Sequence, residues 1–217
     1  MTLDFSTPIT LLPITPRMPA LIFLNGPAGV GKSTLANRLV EIASHGEIIQ
    51  YHHASPLWAM LDCLITNEAN PNEPFFDYSG PKIKASPISW AGPTIPSKLP
   101  TYRDALVSLG QWARDTFGPW ALANAALTAT RECLHAGFST IVFPACRTLE
   151  DLELLVAAAG SQNCLLIRIF RDGHSFANDL GSYLPERPLG VPTVDLHNSG
   201  SLEDFYSAID RIFEDCP

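Results

Sequence analysis

The chain has little positive charge. It carries 14 Lys plus Arg against 22 Asp plus Glu, a net charge of −8 over 217 residues. A broad, sequence-independent grip on duplex DNA needs many phosphate contacts, so this balance argues against a DNA polymer as partner. A few local arginines could still hold a small anion. The five cysteines (Cys63, Cys133, Cys146, Cys164 and Cys216) are an odd number without C-x-x-C spacing. They read as reduced thiols of a cytoplasmic protein, not as a disulfide frame or a zinc site. No apolar run is long enough to span a membrane. The opening stretch, "MTLDFSTPITLLPITPRMP", lacks the form of a secretory signal, because Asp4 comes early and Pro8, Pro13 and Pro16 break its apolar part. Residues 1–19 are expected to form an extended arm, packing on the domain or on a second subunit, as in a homodimer. His52 and His53 are a poor metal pair, since neighbours on a strand point to opposite faces. No internal repeat is present.

What is present suits a globular domain: 46% hydrophobic and 17% charged residues, in a length that supports one substantial core. Its most informative stretch is "LIFLNGPAGVGKSTLANRLV", Leu21 to Val40. Leu21 to Leu24 reads as a buried parallel strand. Gly26 to Ser33 fits G-x-x-x-x-G-K-S, and a helix with Leu35, Leu39 and Val40 on one side follows. Gly26, Gly29 and Gly31 let backbone N–H groups turn toward an anion, and the helix N-terminus adds partial positive charge. Lys32 can reach the β and γ phosphates, and Ser33 can place its hydroxyl on Mg²⁺. A nucleoside triphosphate is therefore expected on Gly26, Ala28, Gly29, Val30, Gly31, Lys32, Ser33 and Thr34. The motif does not identify the reaction.

Further along, "EIIQYHHA" is a second strand, and Ser55-Pro56 is a helix start ahead of "PLWAMLDCLI". Residues 68–100 are dense in Pro, Gly, Ser and Asn, with Phe75, Phe76, Tyr78 and Trp90 among them. That is too long for a plain connection, and it reads as a functional excursion. Helices follow over about 102–117 and 120–136. "STIVFPA" is a third strand, "LEDLELLVAAA" a helix ended by Gly160, and "CLLIRIF" a fourth strand. After a loop come a short strand, "TVDLH", and a last helix capped by Ser201. This alternation predicts an α/β fold with a doubly wound parallel sheet and helices on both faces. Ligands in such folds bind at the carboxyl ends of the strands, where the glycine loop, Ser55, Arg147, Arg171 and Asn198 fall.

Several arginines could grip phosphate. Eleven residues of helix bring Arg114 back to within about 20° of Arg103. Gly110 lies on the same stripe and could let a ligand come close, while a solvated helix face is the plain alternative. Arg147 follows the third strand in "FPACR", where it meets a ligand or pairs with Glu150 or Asp151. Arg168 and Arg171 flank the end of the fourth strand. By alternation Arg168 faces the other way, which leaves Arg171 as the lid-type residue. Guanidinium groups suit the spread charge of a transferred phosphoryl group. Lys82 and Lys84 are weaker candidates.

The chain resembles the tailed-phage deoxynucleoside monophosphate kinases of the P-loop nucleoside monophosphate kinase superfamily. The pieces that carry this, in order, are the P-loop, "FFDYSGPKIKASP", "YRDALVSLGQWAR", "ACR" with Asp151 four residues on, "IRIFRD" and "VDLHNSGSLEDF". The resemblance implies a three-layer P-loop kinase fold with a five-stranded parallel sheet and a lid at about 171–191. It implies transfer of the γ-phosphoryl of ATP, with Mg²⁺, to a deoxynucleoside 5′-monophosphate, in the host-cell cytoplasm for a phage protein. Lys32, Arg147 and Arg171 would be the catalytic residues. Asn198 would lie near the ATP base. Ser55, Arg103, Gly110, Gln111, Arg114 and Arg147 would form the acceptor side, and Ser33 would serve the metal. Two departures stand out. The family's strand-end Asp is Ala145 here, preceded by Pro144. The family's "F-A-D-x-L-K" is "HASPLW" here, with Ser55 for Asp and Trp58 for Lys.

The chemistry points the same way. A monophosphate already offers an anionic oxygen near neutral pH, since its second pKa is about 6, and it needs alignment and charge neutralisation but no general base. A hydroxyl acceptor benefits from a carboxylate. "YHHAS" and "FPACR" supply none, which leaves Asp62, Asp77, Asp104 and His53 as candidate bases. The alternatives are a P-loop kinase acting on a hydroxyl of a modified base, free or in DNA, and a nucleotide-dependent switch. Neither the N-K-x-D of GTPases nor the strand-end Asp-Glu of ATP-driven motors is present.

Overall fold

The structure, a computed structural model, describes residues 18–43, 47–65, 101–177 and 181–214; of 62–65, 102 and 103 it describes the backbone alone. Most of the N-terminal arm, the whole 68–100 excursion with Lys82, Lys84, Phe75, Phe76, Asp77, Tyr78 and Trp90, and the side chains of Asp62 and Arg103 lie outside it.

The unbroken apolar run at the start becomes strand β1 (Leu21–Asn25), every residue of which is buried. A strand without a polar face belongs in the middle of a parallel sheet covered on both sides. The five-stranded sheet has the order β2-β3-β1-β4-β5, with β2 (Ile48–Gln50), β3 (Thr140–Phe143), β4 (Cys164–Phe170) and β5 (Thr193–His197). All four pairings are parallel, with Leu21 opposite both Ile141 and Cys164. The helices are α1 (Lys32–Ile42), α2 (Ser55–Ile65), α3 (Tyr102–Phe117), α4 (Ala121–His135), α5 (Glu150–Ala159) and α6 (Leu202–Glu214).

The chain forms two compact units, Met1–His53 with Ala123–Pro217, and Ala54–Leu122. The first holds the sheet. Alternation along each strand divides its core in two. Leu21, Phe23, Ile141, Phe143 and Leu166 pack with Leu127 of α4 and with Leu152 and Leu155 of α5. Ile22, Leu24, Val142 and Ile167 pack with Leu35 and Leu39 of α1 and with Phe205 and Ile209 of α6. Phe23 and Phe143 stack across β1 and β3 at 5.2 Å. The expected layers, helix on sheet on helix, are therefore present.

The second unit is built on α2 and α3. Leu57, Trp58 and Leu61 of α2 bury against Ala105, Leu106 and Ala113 of α3. Thr101 caps α3 reciprocally with Asp104: the Asp104 N–H donates to the Thr101 hydroxyl oxygen, and the Thr101 N–H donates to the Asp104 carboxylate.

Two local expectations change. β2 is shorter than the run 47–54, because it pairs with β3 only over Ile48–Gln50. The Tyr51 N–H still reaches the Val142 carbonyl at 2.8 Å, after which the chain turns. Helix α2 begins at Ser55, not at Pro56. The Trp58 N–H donates to the Ala54 carbonyl at 3.0 Å, so Ala54 takes the cap position expected for Ser55.

Candidate functional site

The strand order reverses beside β1, since the chain goes on from it to strands on either side. Ligand-binding crevices open at the carboxyl end of such a switch point. The segment that leaves β1 there is the glycine loop. Val30, fully buried in the α1–α6 layer, fixes its far end, while Ala28 and Gly29 are exposed at its tip.

Gly31 is the N-cap of α1, with φ of 105° and no side-chain cap hydrogen bond, and the first turn holds no acidic residue. A left-handed cap lets the loop fold tightly onto the helix start. As a glycine it offers the first turn of α1 no cap side chain of its own. A Cβ on Gly31 would stand 2.8 Å from Asn198 Nδ2 and 3.0 Å from the Phe205 ring. Asn198, expected near a base, is placed by its own amide donating to the Phe170 carbonyl. Its Nδ2 donates to the Val30 carbonyl at 2.9 Å, so it braces the loop. The Lys32 ammonium curls back over the loop and donates to the carbonyls of Gly26 and Pro27, each at 2.6 Å. Ser33 is exposed and Thr34 half-buried.

Arg171, just past β4, donates from Nη1 to the Gly29 carbonyl at 3.2 Å. His174 lies against the same glycine: a Cβ there would be 2.9 Å from its Cδ2 and Nε2. Arg168 faces elsewhere, as alternation requires. It makes a two-pronged pair with Asp195 at 2.6 and 2.7 Å and donates to the Leu184 carbonyl at 3.0 Å. That hydrogen bond to Asp195 holds the Arg168 guanidinium even more firmly in its charged form.

Within the segment expected to be a lid, the described residues from 181 on are tied down. Tyr183 donates to the Ile169 carbonyl at 3.1 Å and stacks on Phe170 at 4.4 Å. Phe170 in turn stacks on His197 at 5.2 Å. Asn25, fully buried at the end of β1, donates to the carbonyls of Cys146 and Ser182 and accepts from the Leu184 N–H. One carboxamide thus joins the ends of β1 and β3 to the lid segment.

Arg147 follows β3 and is half-buried. Its N–H and that of Thr148 both donate to the buried carboxylate of Asp151, at 3.1 and 3.2 Å. Pro144 and Ala145 stand where the resemblance expects a carboxylate. Among the described residues no group of three or more His, Cys, Asp or Glu could hold a metal. Burial pushes the Cys146 thiol well up and the Cys164 thiol up to about 12, so both stay protonated and unreactive at neutral pH.

The other acceptor-side residues fall in the second unit. Ser55 opens α2. Gly110 is buried in α3, where a Cβ would sit 3.3 Å from Leu57 Cδ1, so close helix packing accounts for this glycine. Gln111 is exposed and donates to Asp115 at 2.8 Å. Arg114 is half-buried with Nη1 3.5 Å from the Gly110 carbonyl. Trp58 is core. Asn25 and His174 were not singled out from the sequence. The signal for His174 is weak: it stands three residues after Arg171 in "RDGH", a turn sequence.

A central parallel strand, a G-x-x-x-x-G-K-S loop and a helix in this strand order define a P-loop kinase-like fold. No family model and no curated protein matches the chain. Among solved structures it is similar to one described as "a putative kinase" from Chloroflexus aurantiacus J-10-fl, at 15% identity and a TM-score of 0.44, covering 94% of this chain and 100% of that one. At that level the likeness bears on neither substrate nor residue roles, and the fold class rests on the topology and the loop. No helix among the described residues is long and apolar enough to cross a membrane.

Proposed function

We propose that the protein is an ATP-dependent phosphotransferase whose acceptor is a deoxynucleoside 5′-monophosphate. The observation that carries the first half is the glycine loop. Its helix start has no side-chain cap, and it has Lys32 on one side and Arg171 on its tip. Helix-start amides, an ammonium and a guanidinium suit the β and γ phosphates of a donor. Ser33 would hold Mg²⁺ by its hydroxyl. The residues fit a metal that arrives on the triphosphate and keeps its waters, since no carboxylate follows β3 directly. When bound there, Mg²⁺ would supply charge neutralisation for the phosphates.

The acceptor half rests on charge and on what the carboxylates are doing. Asp151, the carboxylate that follows β3, accepts two backbone N–H bonds and is buried. It stabilises a turn and is badly placed to take a proton from a hydroxyl. A phosphate acceptor has no such proton to lose. The resemblance makes Arg103, Arg114 and Arg147 the candidate cations for neutralising the acceptor phosphate. Arg171 would take the charge of the transferred group. The resemblance to the phage enzymes supports the deoxyribose form and a role in supplying DNA precursors.

The test is turnover. With ATP and Mg²⁺, the protein should phosphorylate at least one member of a panel of natural and modified deoxynucleoside monophosphates, read by product mass. Turnover on an oligonucleotide and on no monophosphate would overturn the acceptor reading and favour a hydroxyl substrate. Replacing Arg114 by Ala should lower acceptor kcat/KM by roughly 10- to 100-fold, as loss of a charge-assisted hydrogen bond does. ATP binding should change little. Equal loss of both would show that Arg114 has another role.

A further inference from the structure

We propose that His174 is a further phosphate-contacting residue of this site, holding the donor polyphosphate together with Lys32 and Arg171. The inference rests on the reading above, that the glycine loop takes a nucleoside triphosphate.

The geometry starts with a turn. The His174 N–H donates to the Arg171 carbonyl at 3.1 Å, and Gly173 between them has φ of 74°. A four-residue turn with positive φ at its third position is the arrangement that glycine serves best. Its first and fourth side chains therefore leave on the same side. Both reach Gly29, at the exposed tip of the phosphate loop. Arg171 donates to the Gly29 carbonyl, and the His174 ring edge with Cδ2 and Nε2 fills the space that a Cβ on Gly29 would need.

The ring's orientation is set from behind. Its Nδ1 lies 3.1 Å from the Asp172 carbonyl. A carbonyl only accepts, so Nδ1 carries the hydrogen and Nε2 is the nitrogen on the glycine side. In the imidazolium form of the ring, Nε2–H would donate to a phosphate oxygen as a charge-assisted hydrogen bond. Core packing does not account for this contact. Gly29 is exposed and His174 only half-buried, so the ring adds little to the buried core.

The experiment uses the full chain and two probes, inorganic tripolyphosphate and ATP, each with Mg²⁺, in calorimetric titrations. The variants are His174→Ala, His174→Gln and Lys32→Ala, and each ligand-free melting temperature is recorded as well. His174→Ala should weaken both ligands about tenfold, in line with one hydrogen bond to a charged group. Its ligand-free melting should match wild type. His174→Gln, whose amide nitrogen sits about where Nε2 does, should recover most of the affinity. Wild-type affinity in His174→Ala, with Lys32→Ala failing to bind, would overturn this proposal and leave the loop reading intact. Wild-type affinity in Lys32→Ala would overturn the loop reading and this proposal with it. Weakened binding in His174→Ala with an equally lowered ligand-free melting temperature, and no recovery in Gln, would assign the ring a structural role and overturn the proposal.

Discussion

The residue that ties the end of β1 to the turn after β3 and to the segment around residues 182–184 is Asn25. It is fully buried, and its carboxamide makes three hydrogen bonds to the backbone of Cys146, Ser182 and Leu184. An amide suits this place because it donates twice and accepts once at the same end of one short side chain. Ala would leave two carbonyls and one N–H in the interior without that partner, and each such loss costs on the order of 1–3 kcal/mol before relaxation. Asn25→Ala is therefore expected to lower unfolding free energy by about 3 kcal/mol, read from urea denaturation at neutral pH. A change within about 0.5 kcal/mol would mean that water or local shifts replace the amide, and the bracing role would be lost. None of this is legible in the sequence, where Asn25 is only the letter before the first loop glycine. Its partners lie far along the chain, and no spacing rule connects them. Lys32 and the loop glycines are legible, because the motif that encodes them is contiguous.

At the scale of elements, the apolar periodicity and the caps give most of the answer. β4 and β5 occupy the expected segments, 164–170 and 193–197: β4 is a largely apolar run, and β5 alternates Val194 and Leu196 with polar residues. α3 spans 102–117 as expected, and its capping box gives a local chemical reason for where it starts. β2 departs from expectation because its neighbour sets its length: β3 is only four residues long, and a strand cannot extend its ladder without a partner. The start of α6 gives a pH test. Ser201 and Asp204 form a reciprocal cap, with the Ser201 hydroxyl and N–H donating to the Asp204 carboxylate at 2.8 and 2.9 Å. The Ser201 hydroxyl first, and its N–H next, hold the Asp204 carboxyl below the usual carboxylate range. A depressed acid contributes stability above its unfolded value, about 3.9, and loses it as pH falls through the lower folded value. Ser201→Ala should therefore melt below wild type at pH 7 and at pH 5 alike. The gap should narrow below about pH 4, as Asp204 is protonated. A gap constant down to pH 2 would show that the cap does not act through the Asp204 charge.

At the scale of the whole molecule, the proposed donor residues fall in one unit, and the proposed acceptor residues other than Arg147 fall in the other. The glycine loop, Arg147, Arg171, His174 and Asn198 belong to the unit with the sheet, while Ser55, Gly110, Gln111, Arg103 and Arg114 belong to Ala54–Leu122. Apart from His174, the first group is legible because a parallel sheet has one carboxyl edge, and residues just past a strand end fall there. The second depends on helix faces, where a stripe shared by two arginines is equally a solvated surface. Mass action gives the two groups different signatures. A ligand that binds only the folded state adds about 2.7 kcal/mol at 100 times its Kd. For a chain of this length that is a rise in melting temperature of about 5–10 °C. MgATP at that excess should produce such a rise in wild type and in Arg114→Ala, and almost none in Lys32→Ala. A deoxynucleoside monophosphate that the enzyme accepts should add a second rise in wild type, together with a non-hydrolysable ATP analogue, and should add almost none in Arg114→Ala. If saturating MgATP leaves the wild-type melting curve unmoved, the glycine loop is not a nucleotide site. If the monophosphate shifts Arg114→Ala as much as wild type, the acceptor grip lies elsewhere in the chain.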